Sequence, residues 1–169
     1  MGRFPPVLLV FALGTTACIG GEGGPVFIPG SGALPACTEA PSRDVAGHWF
    51  DQGTVTVRTA GCDVPIDSAH PACALDWIVE TSGNDATIVV DDEYRIEGRA
   101  CGDQLHLRGG WWLPVEDAIE GCTYDDDSAE EVGIEAEGNV LTIGDGVMTG
   151  TLIVRGRCTA DYAVVLTRL

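Results

Sequence analysis

The sequence contains no lysine, so its nine arginines are its only strongly basic side chains, against 26 aspartates and glutamates. The formal net charge is −17 at pH 7. Proteins bind nucleic-acid backbones and anionic lipid headgroups by neutralising phosphates with basic side chains. We therefore exclude nucleic acid and anionic lipid surfaces as partners. Schiff-base catalysis, which uses a lysine amine, is excluded as well.

The apolar run near the N-terminus is too short for a transmembrane helix, which needs about 20 residues. It covers only Val7–Leu13, follows Arg3 and is followed by small residues up to Ala17. This order is typical of a secretory signal peptide. We predict that the chain is exported and that residues 1–17 are removed.

The residues at the cleavage site, Thr16-Ala17-Cys18, resemble a bacterial lipobox. The resemblance implies that Cys18 receives a diacylglyceryl group and becomes the mature N-terminus. The protein would then be lipid-anchored to the cell envelope, at the outer membrane of a Gram-negative bacterium. Thr15 stands where a lipobox usually has leucine. Because Thr15 and Ala17 also suit ordinary signal-peptidase cleavage, free secretion remains the alternative.

The segment after Cys18 is rich in glycine and proline and shows no repeating apolar period. This composition is typical of a flexible spacer, which would let a folded domain clear the lipid headgroups. We predict three parts: a signal peptide over 1–17, the lipidated cysteine with a flexible tether over 18–40, and a β-barrel-like domain over 41–169.

The cysteines lack the Cys-x-x-Cys spacing that begins many zinc sites, so disulfides are the expected chemistry in an exported chain. Seven cysteines occur, and their number becomes even only when Cys18 is reserved for lipid. Sequence alone does not fix how the other six pair. We prefer Cys62 with Cys73, because the polar loop between them is short. The remaining pairs, Cys101 with Cys122 and Cys37 with Cys158, follow by elimination, which gives about three disulfides.

Helical periodicity is also missing from Val45 onward, where apolar residues recur with period two in short runs between turn residues. The hairpin around Gly102-Asp103 has one polar and one apolar face. We predict an all-β fold, a mostly up-and-down antiparallel meander that closes into a small barrel. The candidate strands are 45–51, 53–60, 75–82, 86–91, 93–101, 104–112, 132–137, 139–144, 147–157 and 160–168.

The first strand opens with Gly47-His48-Trp49, which resembles the Gly-x-Trp motif of lipocalin-like (calycin) barrels. The resemblance implies a barrel whose mouth is a possible ligand site. It also implies that Trp49 lies across the closed end, covered by Arg168 from the last strand. The alternative is that Arg168, close to the C-terminus, is solvated.

The predicted strands direct several large side chains inward, which favours a mostly filled barrel with at most a shallow cup. Strand alternation also sends adjacent Trp111 and Trp112 to opposite faces, so one of the two rings lies outside. That ring would either stack on a sugar or partner, or be covered by a loop. The predicted inward side chains are Trp77, Tyr94, Leu105, Leu107, Tyr162, Val164 and Leu166.

Residues 116–137 contain ten acidic side chains and no basic one. Calcium prefers oxygen-rich loops, which makes Asp125 and Asp127 candidate ligands, but the acids lack EF-hand spacing. The alternative, which we favour, is a solvated acidic loop. We therefore assign no metal and no cofactor.

Catalytic groups are sparse, because no serine lies in a Gly-x-Ser-x-Gly elbow and His48, His70 and His106 fall in three different contexts. We predict a non-catalytic envelope lipoprotein that binds a small ligand or an envelope partner. The alternatives are a purely structural or interaction lipoprotein with a filled barrel and, least favoured, a hydrolase.

Overall fold

The structure is a computed structural model that describes residues 30–59, 66–67, 69–114, 129–156 and 159–169. These residues form an all-β fold, and no helix occurs among them. The described strands are β1 (Gly47–Val57), β2 (Ala69–Pro71), β3 (Asp76–Ser82), β4 (Asp85–Val90), β5 (Tyr94–Cys101), β6 (Gln104–Pro114), β7 (Ala129–Ile134), β8 (Val140–Ile143), β9 (Val147–Arg155) and β10 (Thr159–Arg168).

The strands form a closed antiparallel barrel with eight strand positions, which confirms the predicted fold class. Closure comes from β10, which pairs with β9 on one side and with β1 on the other. Two positions are each shared by two collinear strands. The β2 and β3 strands both pair with β1, while β7 and β8 both bridge β6 and β9.

The first strand is longer than predicted, because residues 47–57, which the prediction divides between strands 45–51 and 53–60, form the single strand β1. Gly53 lies inside it rather than at a turn. A Cβ atom there would lie 2.8 Å from the carbonyl oxygen of Ala163 and 3.0 Å from the Cζ atom of Tyr162. The glycine is therefore needed because the Tyr162 ring of β10 lies against the backbone of β1.

The interior of the barrel is filled by the apolar face of each strand. Of the seven side chains predicted to point inward, six are buried, and Tyr94 is partly buried against the same cluster. Fully burying a large apolar side chain contributes about 1.5–3 kcal/mol. The largest fully buried side chains are Trp49, Trp77, Tyr162, Ile88, Ile96, Leu105, Leu107, Ile134, Leu141, Met148 and Leu152.

Residues 30–44, called the strap below, lie along the outer face of the barrel rather than apart from it. The amide of Ala136 donates to the carbonyl of Ser31 at 2.9 Å, and Ser42 donates to Gly102 at 2.7 Å. Between these points the side-chain amide of Asn84 donates to the carbonyl of Glu39 at 2.7 Å. Part of the segment assigned to the tether therefore contacts the folded domain.

A disulfide joins Cys37 of the strap to Cys101 at the end of β5, with 5.6 Å between the Cα atoms. The predicted pairs of Cys101 with Cys122 and of Cys37 with Cys158 are therefore wrong. They failed because the strap brings Cys37 to β5, a contact that a free tether would not make. Cys73 is also disulfide-bonded, to a cysteine outside the described residues. Its proposed pairing with Cys62 stays a prediction.

Candidate functional site

The candidate site is a cleft of about 430 Å³ between the strap and the outer face of β4, β5 and β6. This volume lies within the range of small-molecule sites, roughly 300–1,000 Å³. The cleft is open to solvent. Its lining residues are Ala33, Leu34, Asp85, Ala86, Thr87, Arg95, Glu97, Gly98, Arg99 and Arg108.

Strand alternation explains why charged side chains meet in this cleft. On β5, Arg95, Glu97 and Arg99 share the outward face, because residues two apart lie on the same side of a strand. The antiparallel register places Asp85 of β4 opposite Arg99 and Arg108 of β6 opposite Glu97. Opposite charges therefore face each other across neighbouring strands.

Two of the three arginines are committed to holding the strap. Arg99 donates to Asp85 at 2.7 Å and to the carbonyl of Pro35 at 3.1 Å. Arg108 pairs with Glu97 at 2.5 Å and donates to the carbonyl of Gly32 at 2.7 Å. Each guanidinium thus connects a carboxylate on the barrel with the backbone of the strap.

The third arginine, Arg95, has no carboxylate partner among the described residues. Within the described part of the chain its guanidinium contacts the hydroxyl of Thr87 alone, at 3.4 Å. Ala33 and Leu34 of the strap supply an apolar wall to the same cleft. An uncommitted guanidinium beside apolar side chains suits a ligand that carries both an anionic and an apolar group.

A second polar cluster lies inside the barrel, where Tyr162 donates its hydroxyl hydrogen to Asp51 at 2.5 Å. Burial raises the pKa of the Asp51 carboxyl to about 7, although hydrogen bonds from Tyr162 and Trp77 act in the opposite direction. Burial and the adjacent Asp51 raise the pKa of Tyr162 well above its usual value. Asp51 and Tyr162 both have 0% exposed surface, so no substrate reaches them.

The structure brings together Trp49 and Arg168, the two residues assigned to barrel closure. The guanidinium carbon of Arg168 lies 4.8 Å from the centroid of the Trp49 ring. Trp111 and Trp112 lie in β6, where their backbones pair with Val132 and Glu131 of β7. The structure does not describe their side chains. The remaining candidates outside the described residues are Cys18, Cys62, Cys122, Cys158, Asp125 and Asp127.

The three histidines do not converge. His48 lies 3.3 Å from Asp76 on the exposed surface of β1 and β3. His70 belongs to β2, and His106 lies on the outer face of β6, where partial burial lowers its pKa. Among the described residues, no group of three or more His, Cys, Asp or Glu side chains is arranged to hold a metal ion.

Sequence reasoning missed both polar clusters, although each left a signal. Asp51 lies an even number of residues from Trp49 and Val55, so its side chain is on the same, otherwise apolar, face of β1. The division of β1 into two strands hid this pattern. The sequence predicts a polar face for the hairpin that contains Arg95, Glu97 and Arg99, but it assigns residues 30–40 of the strap, which complete the cleft, to a flexible tether.

Comparison with models of known protein families, with curated proteins and with solved structures finds no match for this chain. Within the part of the chain that the structure describes, no helix has the length and hydropathy needed to cross a membrane.

Proposed function

We propose that this chain is an exported, lipid-anchored, non-catalytic protein of the bacterial envelope that binds a ligand or partner on the outer surface of its barrel. The filled interior of the barrel is the observation that favours binding on its outer surface. Trp49, Trp77 and Tyr162 are each at most 1% exposed and occupy the space that a ligand-binding barrel leaves open. The export and anchoring part is supported by the N-terminal sequence up to Cys18.

The absence of catalysis is supported by how the titratable groups are distributed over the described residues. The carboxyl of Asp51 has a strongly raised pKa, a property common in catalytic acids, but it is sealed inside the core. His48 and Asp76 form a pair on an exposed strand surface rather than in a cleft. A hydrolase needs such groups to converge beside a bound substrate.

A lipocalin-like relationship remains part of this proposal. It is supported by the up-and-down strand order and by the contact of Arg168 with Trp49 of the Gly-x-Trp motif. The filled interior departs from the ligand cup that the resemblance implies. We therefore propose a lipocalin-like closure with binding moved to the outer surface.

A purely structural or interaction role is the second candidate, and the filled barrel favours it as well. The two candidates differ over the cleft beside Arg95. A binding protein uses this cleft, whereas a structural protein leaves it without an occupant.

Isotope-edited NMR of the full chain, titrated with fatty acids, muropeptides and acidic oligosaccharides, tests the proposal. We expect shift changes at outward positions such as Thr87 and His106, and none at the inward methyl groups of Leu105 and Leu107. Shift changes confined to the inward methyl groups would overturn the choice of surface. If no compound shifts any position, the structural role is favoured.

A further inference from the structure

We propose that the cleft between the strap and β4 to β6 binds a small organic monocarboxylate. Its carboxylate pairs with the guanidinium of Arg95, and its apolar part lies against Ala33 and Leu34. This inference rests on the proposed binding at the outer surface and names the ligand class for that surface.

The guanidinium of Arg95 is available to bind a ligand. Among the described residues its guanidinium has one long contact, 3.4 Å to the hydroxyl of Thr87, and no carboxylate. The neighbouring Arg99 and Arg108 each bind both a carboxylate and a strap carbonyl. A guanidinium presents two parallel N–H groups that match the two oxygens of a carboxylate. Arg95 can therefore pair with an external carboxylate without breaking the contacts that hold the strap.

The charge balance of the cleft selects a ligand with a single negative charge. Among the described residues the lining contains three arginines and two carboxylates, those of Asp85 and Glu97, so one positive charge is left over. The chain as a whole has a formal charge of −17. A doubly charged anion such as phosphate would keep one uncompensated charge near Glu97 and within this negative field. A monocarboxylate is neutralised by Arg95 alone.

The strap makes the cleft amphipathic. Leu34 is half-buried and Ala33 is exposed, and both line the cleft on the side opposite the charged strand face. An aromatic or short aliphatic group placed there would remove apolar surface from water. Because the volume is about 430 Å³, the site suits a molecule of small-metabolite size rather than a long lipid chain.

The two walls of the cleft are held in place before any ligand arrives. The disulfide between Cys37 and Cys101 fixes the middle of the strap, and Arg99 and Arg108 hold the carbonyls of Pro35 and Gly32. Preorganised walls reduce the ordering cost of binding. Reduction of the disulfide should therefore weaken binding even though no cysteine lines the cleft.

The test is a titration of the full chain with benzoate, monitored by NMR, with benzamide as the uncharged analogue and inorganic phosphate as the doubly charged anion. We expect benzoate to shift the amides of Thr87 and Arg95, with little effect from benzamide or phosphate. Arg95→Gln should weaken benzoate binding about tenfold or more, because it removes a charge-assisted pair. Arg155→Gln, which removes the same charge outside the cleft, should bind benzoate like the wild type.

Three results would overturn the proposal: no benzoate binding by the wild type, equal binding by Arg95→Gln, or phosphate binding as tight as benzoate binding. Arg95→Lys guards against a folding defect, because it keeps the charge but loses the paired N–H groups and should bind with intermediate strength. If benzoate fails while a muropeptide or oligosaccharide shifts outward positions elsewhere, the carboxylate assignment is wrong but binding at the outer surface stands. Ligand shifts limited to Leu105 and Leu107 would instead reject the outer surface itself.

Discussion

Arg168, the penultimate residue, covers the ring of Trp49 at 4.8 Å and donates hydrogen bonds to the carbonyls of Asp44 and Ala46, at 2.6 and 2.8 Å. The indole nitrogen of Trp49 in turn donates to the carbonyl of Val45 at 2.9 Å. One side chain therefore joins the last strand, the first strand and the end of the strap. The barrel is closed by these contacts in addition to the hydrogen bonds between β1 and β10.

We expect Arg168→Ala to lower the free energy of unfolding by about 1–2 kcal/mol, through loss of the cation–π contact and two hydrogen bonds. Tryptophan fluorescence should change, because Trp49 becomes more exposed. Arg168→Lys should recover part of the loss. The measurement is urea unfolding, with Arg155→Ala as the control for charge. An unchanged midpoint and spectrum for Arg168→Ala would show that the contact does not stabilise closure.

The buried carboxyl of Asp51 should make the protein less stable as the pH rises. Its pKa is about 7 in the folded protein, against 3.8 as the ordinary value. Between these values the folded protein holds a proton that the unfolded chain has lost, so the free energy of unfolding falls with increasing pH. At about 1.4 kcal/mol per pKa unit, the loss across this window is of the order of 4 kcal/mol.

Asp51→Asn keeps a hydrogen-bond acceptor for Tyr162 but cannot ionise. The variant should resemble the wild type near pH 4 and be more stable than the wild type near pH 8, as measured by thermal or urea unfolding across the range. His106, whose lowered pKa has the opposite effect on pH dependence, is present in both proteins and cancels in the comparison. Asp145→Asn, at an exposed position, is the matched control and should keep the wild-type pH dependence. Parallel curves for wild type and Asp51→Asn would contradict the prediction.

Replacing both Cys37 and Cys101 by serine should lower the free energy of unfolding by about 4 kcal/mol, the chain-entropy estimate for a loop closed over a separation of 64 residues. Amide hydrogen exchange should also become faster in the strap. Single replacements should destabilise to a similar extent. A thiol titration of the native protein that finds Cys37 or Cys101 free would remove the basis of this prediction.

Gly53→Ala should destabilise the barrel by about 1–3 kcal/mol, because the new methyl group would overlap the Tyr162 ring and the carbonyl of Ala163. Gly133→Ala is the control in another strand, where the nearest atom to a new Cβ lies 3.7 Å away. That variant should be neutral or slightly stabilised. Thermal unfolding of both variants tests this prediction. Equal losses of stability in the two variants would show that steric overlap at residue 53 is not the cause of the destabilisation.

Cys18 is expected to carry lipid. Cys18→Ser should move the protein from the detergent phase to the aqueous phase in detergent partitioning, because the diacylglyceryl group is lost. Intact-mass measurement of the wild type should show the corresponding mass increase. Detection of an unmodified Cys18 in the wild type would favour free secretion.

The fold class could be predicted because its signals are local. The period-two pattern identifies strands, and turns at Gly83 and Gly102 adopt the positive φ angles, 64° and 57°, that favour glycine. β1 was harder to recognise, because Gly53 looks like a turn until its contact with Tyr162 is known. That contact joins residues more than a hundred positions apart, which no local pattern reveals.

The disulfide and the cleft could not be predicted, because both depend on where the strap lies. Glycine and proline in residues 30–44 are compatible with a loose tether and with an extended segment that follows a surface. Its docking depends on Arg99 and Arg108, whose side chains reach strap carbonyls rather than strap side chains. Backbone carbonyls are the same at every residue, so the sequence holds no specific signal for this contact.

The docked strap also limits how far the barrel can travel from a membrane. A Cβ at Gly30 would overlap the backbone of Ile134 and Gly109, so the chain is already pressed against the barrel at that residue. If Cys18 carries lipid, the segment that separates the membrane from the first docked residue runs from 18 to 30 and spans at most about 40 Å. A free tether that reached residue 41 would span roughly 80 Å. Under that lipid anchoring the barrel would stay in a shallow layer next to the bilayer, and any partner would have to come within that layer.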